Sequence, residues 1–184
     1  MKINTVEQES SCTLLHRNYK FRLYPNKTQK NLLENHFFTS NQAWNYALNS
    51  KICELKAQSE HPKEARIYKK FKDVYSEMTS SLKERNLKFN SGVVQDEMRK
   101  LDSIFKRFYS KKSEGYGFPK FARSNDSEQS FVIRNQYTKW SDSHLKIFKE
   151  EIKCEFHREI PNDAKFNGDI IKKERDGHYF VILN

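Results

Sequence analysis

The chain has 184 residues, a net charge of +10 and an isoelectric point near 9.4. Its composition, 36% hydrophobic and 14% aromatic, is that of a globular protein, and no apolar run approaches the ~18 residues that cross a bilayer. We therefore expect a soluble intracellular protein. The positive charge indicates a polyanionic partner, with nucleic acid as the first candidate and an anionic membrane surface as the alternative.

The basic charge is concentrated in the first two-thirds of the sequence. Residues 17–112 hold 21 Lys and Arg against 10 Asp and Glu, whereas residues 113–184 hold 12 of each. We therefore expect the partner-binding surface in the first part. The cysteines have no paired spacing and the N-terminus has no signal-peptide core, which favours a reducing cytoplasm. They are Cys12, Cys53 and Cys154.

The N-terminal part begins with residues 1–17, which are polar and without period and predict a disordered extension. In residues 18–25, apolar and basic side chains alternate at the period of a half-buried strand, the first strand of a sheet. The apolar positions are Tyr19, Phe21 and Leu23, and the basic ones between them are Lys20 and Arg22.

Residues 26–112 show helical periodicity in several stretches and predict an inserted helical unit. After a cap at Asn26 or Thr28, the pattern is interrupted near residues 39–41, which predicts two helices or one bent helix. A second amphipathic helix is expected between Ile67 and Leu82. A third is expected from an N-cap at Ser91. Its apolar stripe consists of Val94, Met98, Leu101, Phe105 and Phe108.

The remaining residues change to short strand-like runs. Residues 113–129 form a predicted linker, and residues 130–184 hold the runs, at 130–134, 145–148, 152–156, 170–173 and 179–183. Because strand 18–25 has no partner nearby, we expect it to join these strands. The predicted fold class is α+β, a small antiparallel β-barrel that is split by an inserted helical bundle.

No catalytic chemistry is evident. The sequence has no Gly-rich phosphate loop, nucleophile elbow or metal-spaced Cys and His set, so we predict no catalytic residue, no metal and no cofactor. What remains is a set of basic residues interleaved with aromatic ones. Cations neutralise phosphates and exposed aromatic rings stack on bases, so this pattern is typical of nucleic-acid binding; buried rings would leave only the charge.

Three stretches resemble the TnpB/OrfB family of bacterial insertion-sequence proteins, RNA-guided nucleases related to the type V CRISPR effectors. The first is Tyr19-Lys-Phe-Arg-Leu-Tyr-Pro-Asn26 with Trp44-Asn45 after it. The second joins Gln95 to Gly117-Phe-Pro-Lys-Phe121. The third consists of Phe156-His-Arg-Glu-Ile-Pro161 and Gly177-His-Tyr-Phe-Val-Ile-Leu183. Together they place about residues 18–184 in the resemblance.

The resemblance implies that the barrel is wedge-like and that the helical bundle is a recognition lobe. In the family, this half holds a guide RNA derived from the transposon end and reads a short DNA motif that flanks the target, and a RuvC-like nuclease domain then cuts. The chain stops at Asn184, where that domain would begin. We therefore expect no cleavage by this chain alone, and a cytoplasmic, nucleoid-associated location.

Site residues follow from the resemblance and from the basic pattern. Gln95 matches a motif-reading position of the family, and Tyr68 and Ser91 occupy two others, with serine where some relatives carry lysine. The residues expected to contact the nucleic-acid backbone are Lys20, Arg22, Lys69, Lys70, Lys72, Arg99, Lys106, Arg107, Lys111, Lys112, Lys120 and Arg123. A merely solvated face is the alternative for each of these cations taken alone.

Three other functions remain open at this point. One is a nuclease-free repressor that binds DNA directly or through a guide RNA. Another is the recognition subunit of a split nuclease, with a separate RuvC-like chain as its partner. The last is the product of a decayed gene with no function.

Overall fold

The computed structural model describes residues 18–60, 69–110, 115–123, 128–160, 166 and 168–183. The chain begins with strand β1 and continues with three helices. Six further strands follow. The elements are β1 (Tyr19–Tyr24), α1 (Lys27–Glu60), α2 (Phe71–Glu84), α3 (Ser91–Ser110), β2 (Gln129–Ile133), a 3-10 turn (Asn135–Tyr137), β3 (Thr138–Trp140), β4 (His144–Ile147), β5 (Glu150–Glu155), β6 (Asp169–Lys173) and β7 (Tyr179–Leu183).

The seven strands form one antiparallel sheet that curls into a half-barrel. Its order is β2-β6-β7-β1-β5-β4-β3, so β1 lies in the middle, between β7 and β5. The predicted α+β class, with the helices between barrel strands, is confirmed. So is the expectation that the first strand joins the C-terminal ones: Phe21 is paired with Val181, and Leu23 with Cys154.

The apolar side chains form two cores, and helix α1 belongs to both. Its N-terminal half places Leu33 and Phe37 in the half-barrel core, against Phe131 and other strand residues. Its C-terminal half contributes Leu48 to the core of the helical bundle. At ~1.5 Å per residue, the 34-residue helix is about 51 Å long, which is enough to connect the two.

Helix α1 is continuous, so the alternative of two helices is wrong. Thr39 and Ser40, where the periodicity breaks, are buried, and the hydroxyl of Thr39 donates to the carbonyl of Asn35 at 3.0 Å within the helix. Asn26 rather than Thr28 caps α1. Its Oδ1 accepts from the amide of Gln29, whose Oε1 accepts from the amide of Asn26 in return.

The N-cap of α3 is also corrected. Asn90, not Ser91, is the cap, because its Oδ1 accepts from the amides of Gly92 and Val93 at 2.9 and 3.3 Å. Ser91 is the first residue of the helix and is exposed. Strand β3 was not expected from the sequence at all, since its three residues are too few to show a period.

Among the described helices, none combines the length and the apolar character that crossing a bilayer requires. The described part of the chain also contains no cluster of three His, Cys, Asp or Glu side chains that could hold a metal ion. Of the cysteines, Cys53 and Cys154 are free thiols.

Candidate nucleic-acid interface

One face of α3 is polar and exposed while the opposite face is packed in the bundle core. Gln95 and Arg99 are four residues apart, and Lys106 follows seven residues later, so the three share this outer face. Gln95 is half-buried, whereas Arg99 and Lys106 are exposed. Val94 and Met98 lie on the buried face, which fixes the orientation of the helix. The predicted motif-reading glutamine is therefore held on a rigid element.

A groove separates this helix from strand β2. Its volume is about 540 Å³. Two guanidinium groups and one ammonium group line it, against a single carboxylate, so the groove has an excess of positive charge. The lining residues are Asp96, Arg99, Lys100, Ser103, Val132, Arg134 and Gln136.

Asp96 holds the two arginines of the groove. Its carboxylate accepts from Nε and Nη2 of Arg134 at 2.8 and 2.5 Å, and Nη1 of Arg99 lies 3.6 Å from Oδ1. These hydrogen bonds raise the pKa of the Arg134 guanidinium further. Arg134 and Lys100 were not among the predicted site residues. No periodic signal links Asp96 to a residue 38 positions away.

A second exposed surface consists of aromatic and basic side chains at the end of α3 and in the segment that follows. We call it the aromatic-basic strip. Its rings are 41 to 55% exposed, an unusual degree for large apolar groups. The strip consists of Lys106, Arg107, Tyr109, Tyr116, Phe118, Lys120 and Phe121.

The strip is fixed by contacts with α1 and α3. The indole Nε1 of Trp44 donates to the carbonyl of Lys120 at 2.9 Å. The ring of Phe118 packs edge-on against Phe105 and Phe108, with centroid distances of 5.4 and 5.6 Å. The exposed rings are thus presented by an anchored segment.

The other predicted backbone contacts lie on different surfaces. Lys20 and Arg22 point away from the half-barrel core; Lys20 pairs with Glu174 at 2.6 Å, and Arg22 lies over the ring of Tyr24. Both are therefore on the convex side of the sheet, opposite α1. The structure does not bring them together with Gln95.

Three lysines around the start of α2 are exposed. Lys69 and Lys70 directly precede the helix, and Lys72 is its second residue. Lys69 forms an ion pair with Glu77 at 2.9 Å, and this hydrogen bond raises its pKa. Arg123 is exposed beyond the aromatic-basic strip. The predicted residues Tyr68, Lys111 and Lys112 lie outside the described residues.

Residues 15–59 match the family model named for OrfB of IS605 and described as a helix-turn-helix domain. The match covers 45 of the 184 residues and supports an N-terminal part of the OrfB/TnpB type of the IS605 family in this region. This match indicates DNA binding in a transposon-associated protein. No curated protein matches the chain. Within the match, the described residues form β1 and all but the last residue of helix α1, and the exposed face of α3 lies beyond it.

Proposed function

We propose that the chain binds a structured, guide-type RNA and reads a short DNA motif beside the target, as the recognition part of a TnpB-like system at the nucleoid. The observation that carries the DNA part is the outer face of α3. It presents Gln95 beside a groove that holds Arg99 and Arg134. A glutamine amide pairs bidentately with the edge of an adenine, and the major groove of DNA admits a helix.

The cations around Gln95 supply the affinity that is independent of sequence. Arg99 and Lys106 share the face with Gln95, and both are exposed. Neutralising phosphates releases counterions, so the logarithm of the binding constant falls by about 0.9 per contact for each tenfold rise in salt. These phosphate contacts position the duplex, and the side-chain amide of Gln95 distinguishes one base from another.

The aromatic-basic strip supports the RNA part of the proposal. Structured RNAs have loops and bulges with unpaired bases. These bases stack on exposed aromatic rings of a protein, while nearby lysines contact the phosphates. Tyr116 and Phe121 are exposed rings on either side of Phe118, and Lys120 lies between them in the chain. Stacking is worth about 1–3 kcal/mol per base.

The DNA part is tested by selecting bound sequences from a randomised duplex library at several salt concentrations. We expect one short enriched motif and steep salt dependence. The variant Gln95→Ala should lose preference at one position of the motif more than it loses total affinity. The control is Lys146→Ala, on β4, which should leave the motif unchanged. Binding that is absent or insensitive to salt would contradict the proposal.

The RNA part is tested by sequencing the RNA that co-purifies with the chain and measuring its affinity. We expect one defined structured species. Phe121→Ala should weaken its binding by about 1–3 kcal/mol if one base stacks there. Tyr24→Ala removes a ring of similar exposure on β1, 42% against 50% for Phe121, and should have little effect. Heterogeneous RNA fragments with equal affinity for both variants would overturn this part.

A further inference from the structure

The pair between Asp96 and Arg134 is the most constrained polar contact across the groove. Both Nε and Nη2 of the guanidinium donate to the carboxylate, so the fork is held in one plane and one direction. The side chain of Arg134 is nevertheless 37% exposed, against 17% for Asp96. A side chain that is held on one edge and exposed on another is suited to presenting the exposed edge to a ligand.

The pair with Asp96 uses the Nε and Nη2 edge and does not engage Nη1. The hydrogens at the end of the guanidinium, on Nη1 and the second one on Nη2, point away from Asp96. They can therefore form a further bidentate contact. The two acceptors of guanine, O6 and N7, fit such a fork. Because Asp96 already fixes the side chain, little rotamer freedom is lost when this contact forms.

A phosphate contact is the competing use of Arg134, and the local charge argues against it. Asp96 cancels one unit of positive charge beside the guanidinium, which weakens its attraction for a phosphate. Arg99, more loosely associated with Asp96 at 3.6 Å and more exposed, is the better phosphate ligand. The firmly held arginine is the one with a defined direction, which is what base reading requires.

The ligand is duplex DNA rather than duplex RNA for a geometric reason. Guanine O6 and N7 lie in the major groove, which in DNA is wide enough for a helix and in A-form RNA is too narrow for side chains. Gln95 precedes Asp96 on α3, and Asp96 holds the guanidinium that Arg134 extends from the β2 side of the groove, so an adenine-reading amide and a guanine-reading guanidinium come close together.

We propose that Arg134, oriented by Asp96, reads a guanine in the major groove of the DNA that lies against α3. The inference rests on the proposed DNA-reading function and adds a second base-reading residue to it. Asp96 is then a positioning residue, which acts through Arg134 and does not itself touch the base.

The test is the randomised duplex library, selected with the full chain and with two variants. Arg134→Lys keeps the charge and removes the fork, so it should lower the preference for guanine at one motif position by about tenfold while nonspecific affinity stays within about twofold. Asp96→Asn should weaken the same position and no other. Arg175→Lys, on the exposed turn before β7, is the matched control and should select the wild-type motif.

The outcomes separate the inference from the function on which it depends. A wild-type motif that both variants reproduce unchanged would overturn the role of Arg134 and leave the DNA-reading function in place. A wild-type chain that selects no motif would overturn both. An equal loss of affinity for every sequence with Arg134→Lys would identify Arg134 as a phosphate contact and would also refute the inference. Thermal unfolding of each variant shows whether the fold is retained.

Discussion

Asn45 and Ala122 form a two-way hydrogen bond: the amide Nδ2 of Asn45 donates to the carbonyl of Ala122 at 2.9 Å, and the backbone N–H of Ala122 donates to Oδ1 at 2.8 Å. The side chain of Asn45 on α1 thus bonds both backbone groups of Ala122, as a neighbouring strand would in a sheet. Together with the bond from Trp44 to Lys120, it fixes the segment that carries the aromatic-basic strip. Residues that are 76 and 77 positions apart in the sequence are thereby joined into one structural unit.

Asn45→Ala should release this segment. The backbone groups of Ala122 lose both partners, so we expect a loss of about 1–3 kcal/mol in the free energy of unfolding and faster hydrogen exchange at Ala122. Chemical denaturation and exchange of amide hydrogens measure the two effects. Asn49→Ala, one turn later and exposed, is the matched control. Unchanged exchange at Ala122 would show that other contacts hold the segment.

Asp169 should make the protein less stable as the pH rises through weakly acidic values. Burial raises its pKa to about 6, and the nearby side chain of Thr138 offsets this only in part. A carboxyl whose pKa is raised on folding contributes stability that is present below its unfolded pKa, near 4, and is lost as the pH approaches 6. Asp169→Asn should therefore raise the free energy of unfolding at pH 7.5, by an amount on the order of 2–3 kcal/mol.

The control for Asp169 is Asp176→Asn. Asp176 is exposed, and its hydrogen bonds with His178 lower its pKa, so its substitution should bring no gain at pH 7.5. Urea denaturation at pH 5 and pH 7.5 compares the two variants. If Asp169→Asn were destabilising at pH 7.5, the ionised carboxylate would have to be well solvated or paired in the folded protein.

His36 should have the opposite pH dependence. Burial lowers its pKa to about 4, because its ring packs between Phe131 and Phe148, with centroids 5.5 and 4.7 Å away. Below pH 6.5 this histidine binds a proton in the unfolded chain but not in the folded protein. Its contribution to the free energy of unfolding is therefore fully present above pH 6.5 and is lost as the pH falls towards 4. Between pH 4 and pH 6, the contribution of His36 to the free energy of unfolding therefore rises with pH, whereas the contribution of Asp169 falls.

Substituting His36 exposes this compensation. In His36→Phe, the opposing contribution of His36 is gone, and the free energy of unfolding should fall between pH 4 and pH 6 through Asp169 and through Glu97, whose pKa burial also raises. In Asp169→Asn, the slope of His36 should remain, and stability should rise over that range. Denaturation at half-unit pH intervals distinguishes them from the flatter profile of the wild-type chain. Parallel profiles for all three proteins would refute the assignment.

Helix α1 should make the two cores unfold together. Leu33→Ala removes a fully buried side chain from the half-barrel core, and Leu48→Ala removes one from the bundle core. Each should cost about 2–5 kcal/mol and leave a single transition, because a helix that spans both cores cannot melt in one half alone. Circular dichroism and tryptophan fluorescence, followed in parallel, should give coincident curves. Two separate transitions would contradict this coupling.

The sequence predicts the fold well wherever a period extends over several residues. The strand at Tyr19–Tyr24 and the stripe of α3 were visible for this reason. The Thr39–Ser40 region misled because the hydroxyl of Thr39 donates to a carbonyl inside the helix, and β3 is too short to alternate more than once. Alternation along β1 also implied that Lys20 faces away from the core, as the structure shows.

The interface is less predictable because its main contact is a matter of tertiary structure. Gln95 and Arg99 follow from spacing on one helix. Arg134 comes from the end of β2, in a part of the chain with no net charge, and only the packing of α3 against that strand brings it to Asp96. The sequence shows that aromatic and basic residues are interleaved in the aromatic-basic strip. It does not show that the rings are exposed, which the structure does.

The central position of β1 has a consequence for synthesis on the ribosome. Its two neighbours, β5 and β7, begin at Glu150 and Tyr179, so β1 has emerged long before either partner exists. At ~5–20 residues per second, the interval from Tyr24 to Tyr179 takes about 8 to 30 s. The bundle core needs only residues up to the end of α3. Nascent chains arrested before β5 should therefore protect α1 to α3 from protease while β1 still has neither of its partner strands.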